Sequence, residues 1–246
     1  MNPWHRNGMV AFDTETTAPE PNTARLVTAT VALIRPGMET ETLTWLINPG
    51  CEIPEEASAI HGITTEAARE NGQPPEDAVR EIATALLEHS AFAPVVAFNA
   101  AYDFTVLDRE MKRHLSINYV APDVLVVDPH VCDKALDKYR KGKRTLTAVT
   151  EHYGVRLGGA HDATEDALGA ARVAWALAER YPDDLQIDLT ELHARQKQWR
   201  AEQAASLQRY FRRKDPEAVV NGEWPLQNPP PDWSPDQHPH PREDAA

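Results

Sequence analysis

Met9-Val10-Ala11-Phe12-Asp13-Thr14-Glu15-Thr16-Thr17 begins with four apolar residues and then interleaves acidic and hydroxyl side chains. The apolar start reads as a buried strand. Residues two apart on a strand share a face, so the carboxylates of Asp13 and Glu15 can converge on one cation. Leu26–Ile34 and Thr40–Ile47 follow as segments rich in β-branched residues, divided by turn signals such as Arg35-Pro36-Gly37. Three consecutive strands of this kind predict antiparallel pairing.

Farther along, Pro94-Val95-Val96-Ala97-Phe98 and Val124-Leu125-Val126-Val127 read as buried strands that each run into a helical pattern, expected at about 101–115 and 130–138. Further helices are expected at about 76–89, 145–153 and 164–180, with Thr64 capping a short one. Three strands followed by strand–helix alternation predict an α/β fold: a mixed sheet, antiparallel first and parallel afterwards, flanked by helices. Residues 188–213 hold strong helix formers without Gly or Pro and predict a long carboxy-terminal helical extension. Beyond it lie eight of the twenty prolines, a composition that reads as unable to bury a core and predicts an extended or disordered tail.

The chain's 246 residues suit one domain with extensions, and no apolar run approaches the ~18 residues of a membrane span. The amino-terminal residues lack a secretory apolar stretch, which makes the cytoplasm the expected location. Two cysteines, Cys51 and Cys132, exclude a disulfide framework or a zinc cage. A net charge of −13 argues at first against a polyanionic partner, but residues 215–246 alone carry seven acids and one base. No phosphate-loop, serine-elbow or His-Glu-x-x-His pattern is present.

Two more acids complete a set with Asp13 and Glu15. Asp103 stands at the start of the helix after the Val95–Phe98 run, and Asn99, four residues earlier, is placed to orient it. In Gly158-Gly159-Ala160-His161-Asp162-Ala163-Thr164-Glu165-Asp166 a glycine-rich loop presents His161 and the next helix presents Asp166. Four carboxylates suit two hard divalent cations, Mg²⁺ or Mn²⁺, of the kind that serve phosphoryl chemistry. An imidazole with a reference pKa of ~6.5 suits a general base, so His161 is expected to deprotonate the attacking water.

Phe12–Thr17, Asn99–Asp103 and His161–Asp166 resemble the three exonuclease motifs of DnaQ-like proteins, and the histidine of the third is similar to the DEDDh subgroup. The resemblance covers about residues 8–182 and includes likeness to the proofreading epsilon subunit of bacterial DNA polymerase III. It implies a ribonuclease H-like fold over residues 1–185, with 186–214 as a carboxy-terminal helix and 215–246 as the tail. It also implies 3′→5′ hydrolysis that releases nucleoside 5′-monophosphates, with Asp13, Glu15, Asp103 and Asp166 as metal ligands. The substrate is expected to be single-stranded or frayed 3′ ends of DNA, in proofreading or repair. RNA exonuclease or oligoribonuclease activity is the alternative, and a non-catalytic nucleic-acid-binding module a further one.

His61-Gly62-Ile63-Thr64 is similar to a family segment that contacts the terminal nucleotide, with core packing as the other reading of Ile63. Thr16 matches a position near the 3′ hydroxyl; Thr14 and Asn99 are also expected on the substrate side. The basic stretch Lys134, Lys138, Arg140, Lys141, Lys143 and Arg144 either guides a strand by its phosphates or forms a solvated loop. Leu207, Tyr210 and Phe211 share one helix stripe, which is expected to pack on the nuclease domain, with docking to a DNA polymerase or sliding clamp as the alternative.

Overall fold

A computed structural model describes residues 3–117, 124–156 and 163–235. Five strands, β1 (Met9–Thr16), β2 (Leu26–Ile34), β3 (Glu41–Leu46), β4 (Val95–Val96) and β5 (Val126–Val127), form one sheet in the order β3-β2-β1-β4-β5. The first three pair antiparallel, and β4 and β5 continue parallel from β1, as the strand pattern predicts. Helix α1 (Glu55–His61), for which the sequence carried little signal beyond Pro54, and α2 (Thr65–Asn71), capped by Thr64, follow β3. Next come α3 (Pro75–Ser90), α4 (Ala100–His114), α5 (Pro129–Leu136), α6 (Leu146–Tyr153), α7 (Ala163–Arg180), α8 (Pro182–Leu185) and α9 (Leu189–Phe211).

The central strand β1 is buried on both faces, and its alternation sorts the core into two halves. Val10 and Phe12 pack among residues of α3 and α4, while Met9 and Ala11 pack among residues of α7. Helix α7 turns Ala167, Ala170, Ala171, Ala174 and Ala178 into that second half, all of them essentially inaccessible. Their small side chains let the helix lie close to the strand that carries Asp13.

Edge strand β5 leaves backbone groups that need partners, and α9 supplies them from its side chains. His193 Nδ1 accepts from Val126 N at 3.1 Å; Gln196 donates to Val126 O at 2.9 Å and accepts from Asp128 N at 2.6 Å. The buried face of α9 is therefore its first half, where Leu192 and Gln196 are fully enclosed. The expected packing of Leu207, Tyr210 and Phe211 is not found: they are 39%, 57% and 44% exposed, because the last turns run past the edge of the sheet.

The proline-rich segment also departs from expectation. Residues 215–235 form turns and irregular backbone, but Trp224 is only 2% exposed and belongs to the core half beneath α3 and α4. From there the segment runs along α4: Gln227 N donates to Thr105 Oγ1 at 3.0 Å and Arg109 donates to Gln227 O at 2.8 Å. Trp233 lies over the guanidinium groups of Arg109 and Arg113. A composition average misses this because two indoles anchor the strap, while prolines lower the entropy of holding it straight. The remaining part of the tail, 236–246, lies outside the described residues.

Replacing Trp224 by Ala removes a large core side chain and an indole donor together. The expected loss is ~3–5 kcal/mol of unfolding free energy in urea titrations; a loss under about 1 kcal/mol would show that the strap is undocked in solution.

Candidate active site

Alternation along β1 decides which neighbours each functional side chain meets. Asp13 and Glu15 continue the parity of Met9 and Ala11 and so face α7. Asp166, in the first turn of α7, lies three residues after Ala163 and four before Ala170, on the stripe that faces the sheet. The result is a trio: carboxylate oxygens of Asp13, Glu15 and Asp166 lie within 4.8 Å of one another. All three are half-buried, open enough to admit an ion and enclosed enough to resist solvation.

Thr14 and Thr16 take the opposite parity and face α4. The Thr14 hydroxyl donates to Asp103 Oδ1 at 2.7 Å and is itself only 8% exposed. Its side chain therefore orients that carboxylate. The Thr16 hydroxyl shares a hydrogen bond with the Tyr102 hydroxyl, and both reach the Ala18 carbonyl. Burial pushes the Tyr102 phenol up to about 12, so it stays protonated as a donor.

The position of Asp103 depends on how α4 begins. Asn99, at the helix N-cap, holds a left-handed backbone with φ 67°, a conformation asparagine tolerates better than most residues. The residue is exposed. Below it, Asp128 accepts from Asn99 N and Ala100 N at 3.0 Å each, from His130 N at 3.0 Å and Val131 N at 3.3 Å, and from the Trp224 indole at 3.1 Å. Burial raises its pKa and these donors oppose that rise. Five donors and no acceptor match the ionised carboxylate. One side chain thus caps α5, sets the start of α4 and ties in the strap, a role that the Val124–Val127 strand pattern left unmarked.

The site's electrostatics are those of an acidic cluster. Burial drives the Asp13 pKa well up, and the neighbouring Asp103, Glu15 and Asp166 add to the rise. Asp103 is pushed up to about 7, first by burial, against the pull of the Thr14 hydrogen bond. Oxygen-only donors, convergent and mutually repelling, fit a hard divalent cation such as Mg²⁺ or Mn²⁺.

His61, at the end of α1, has its Nδ1 accepting from Ile63 N at 3.2 Å and its Nε2 buried. Burial lowers its pKa, and the Thr16 backbone beside it acts in the other direction. The ring therefore stands next to the end of β1. Ile63 packs partly against Val27, Ile53 and Ala68, so core packing describes at least one side of it. His161 lies outside the described residues.

A sequence comparison with curated proteins returns no match. Among solved structures, E. coli exonuclease I in complex with a dT13 oligonucleotide is similar, with TM-score 0.60 and 18% identity, over 72% of this chain and 42% of that one. Exonuclease I from Methylocaldum szegediense is similar with TM-score 0.57 and 21% identity, over 72% and 41%. At such identities the likeness establishes the ribonuclease H-like fold, and the chain spans less than half the length of these proteins. Residues 10–174, well over half of the chain and inclusive of Asp13, Glu15, Asp103 and Asp166, match the family described as Exonuclease, RNase T. The chain belongs to this exonuclease family, within the DnaQ-like superfamily.

Proposed function

We propose that the chain hydrolyses single-stranded DNA from the 3′ end, one nucleoside 5′-monophosphate at a time, as a DEDDh-type nuclease serving proofreading or repair. The carrying observation is the convergence of Asp13, Glu15 and Asp166, with Asp103 acting on the same carboxylates. E. coli exonuclease I has been solved with dT13, with dA16 and as a zinc-bound complex with single-stranded DNA, which supports the choice of substrate class.

In this reading Asp13, Glu15, Asp103 and Asp166 hold two divalent cations, which supply charge neutralisation at the scissile phosphate and an acidified water. Thr14 keeps Asp103 aimed at the cluster. The hydroxyl pair Thr16–Tyr102 sits on the α4 side of β1, placed to meet the terminal sugar. His61, Ile63 and Asn99 position the last nucleotide. His161 takes the proton from the attacking water, a role worth ~10²–10⁴ in rate.

A ladder assay on DNA and RNA oligomers labelled at either end tests this directly. Asp13→Ala is expected to lower turnover ~10³-fold or more, and His161→Ala ~10²-fold or more. Undiminished digestion by Asp13→Ala would rule out the carboxylate centre, and a ladder growing from the 5′ terminus would reverse the polarity.

Metal binding should also appear in stability. An acid with a raised folded pKa leaves the fold unpenalised below its ordinary pKa of ~4 and costs stability as pH rises toward the folded value. For Asp103 that window ends near pH 7. Glu110, which burial alone would raise, is held down to about 2 by His114, Arg113 and Arg25 and titrates below that window. In chelator the melting temperature is expected to fall between pH 5 and 8, and Mg²⁺ or Mn²⁺ to raise it by ~4 °C or more at pH 8 but much less at pH 5. Equal metal effects at both pH values would contradict the clustering.

A further inference from the structure

Between α5, the loop that follows it, and the second half of α9 lies a groove of about 800 Å³. Five cationic side chains line it, Lys134, Lys138, Arg140, Arg144 and Arg209, against one acid, Glu202, in a chain whose net charge is −13. Two of the five are fixed in place. Asp133, fully buried, accepts from Arg140 at 2.7 and 2.8 Å, from Arg144 at 2.6 Å and from the Tyr153 hydroxyl at 2.9 Å. Arg144 further donates to the carbonyls of Asp137 and Arg140, which folds the basic loop into a set shape. The loop is therefore held in one shape while Lys138, Tyr139, Lys141 and Lys143 stay exposed on it.

The other three cations, Lys134, Lys138 and Arg209, have no ion pair or side-chain hydrogen bond among the described residues. Lys134 is partly buried, and burial, with repulsion from Arg200 and Arg144, pushes its pKa down. An ammonium so placed calls for an anion. Aromatic faces stand between the charges: Tyr139 is 89% exposed, Tyr210 57%, and Leu207 beside it 39%. Alternating cations and exposed rings match the repeating phosphates and flat bases of a single strand better than they match a carboxylate-bearing peptide.

We propose that this groove binds the phosphodiester backbone of a single-stranded nucleic acid, a few nucleotides from the end that is cut. Asp128, which holds Asn99 and Ala100 at the active site, caps α5; Lys134 follows six residues later, ~9 Å along the helix. Continuity with the carboxylates rests on the exonuclease reading; the groove's affinity for a strand does not. The recognised chemistry is common to DNA and RNA.

The test uses the full chain in chelator, so that no strand is cut. Fluorescence anisotropy follows binding of labelled oligothymidylate and oligouridylate, each of about 20 nucleotides, at increasing salt. Lys138, Tyr139 and Arg209 are all exposed, so replacing them leaves the core intact. The double variant Lys138→Gln/Arg209→Gln is expected to weaken binding about tenfold at low salt and to reduce the slope of log K against log salt by ~1.4. Tyr139→Ala is expected to weaken binding ~5-fold or more with the slope unchanged. Dependence seen with the DNA oligomer, with the RNA oligomer or with both sustains the proposal and identifies the sugar. Unaltered affinity and slope in both variants would overturn it, as would an oligoglutamate peptide that binds more tightly than either oligomer and needs the same two cations. Loss of binding in these variants alongside a silent ladder assay would retire the exonuclease reading and leave the groove standing.

Discussion

Mutual repulsion among the carboxylates at the end of β1 is the constraint around which the molecule is arranged. Two unit charges about 5 Å apart at an effective dielectric near 20 repel by ~3 kcal/mol, and Asp13, Glu15 and Asp166 meet within that range while partly removed from water. Such a cluster persists only if the surrounding fold over-determines it. The strand beneath it is central and buried on both faces, the alanine face of α7 brings Asp166 in close, and Thr14 restrains Asp103 from the other side. A divalent cation converts the same repulsion into attraction, so the arrangement is costly alone and favourable when loaded.

Rigidity at that point comes from elements remote in sequence. Asp128 joins the start of α4, the start of α5 and the Trp224 indole through a single carboxylate. Gln196 of α9 holds the backbone of that same residue. The helix and strap that follow the nuclease motifs thus act on the site through Asp128. They close the edge of β5 and fix where α4 begins, and the α4 start determines where Asp103 points.

Much of this was legible in the sequence because it obeys short periods. The parity of Asp13 and Glu15 followed from strand alternation, and the helices that carry Asp103 and Asp166 followed from apolar spacing. What escaped was non-periodic. Asp128 reads as an ordinary acid before a proline, and only the three-dimensional meeting of two helix starts with an indole reveals its work. Trp224 sits in a segment whose average composition signals disorder, yet one buried indole outweighs that average. The Leu207–Tyr210–Phe211 stripe has a correct helical period on a helix whose end overhangs the sheet, so periodicity found the helix but not its burial. His161 stands on the motif alone.

The overall negative charge is compatible with a nucleic-acid partner once its distribution is considered. Screening at physiological salt limits exposed charges to a range of ~8 Å, so a strand responds to the surface beneath it rather than to the total. The acids of the cluster are the ones a metal neutralises, and the tail carries seven more against one base. Five of the described cations instead line the groove between α5 and α9, with Asp133 spent internally on shaping the loop rather than opposing a ligand. A net count of charge therefore misjudges such a protein: the sign that matters is local, and the same buried acid that lowers the total is what presents the arginines in a fixed array.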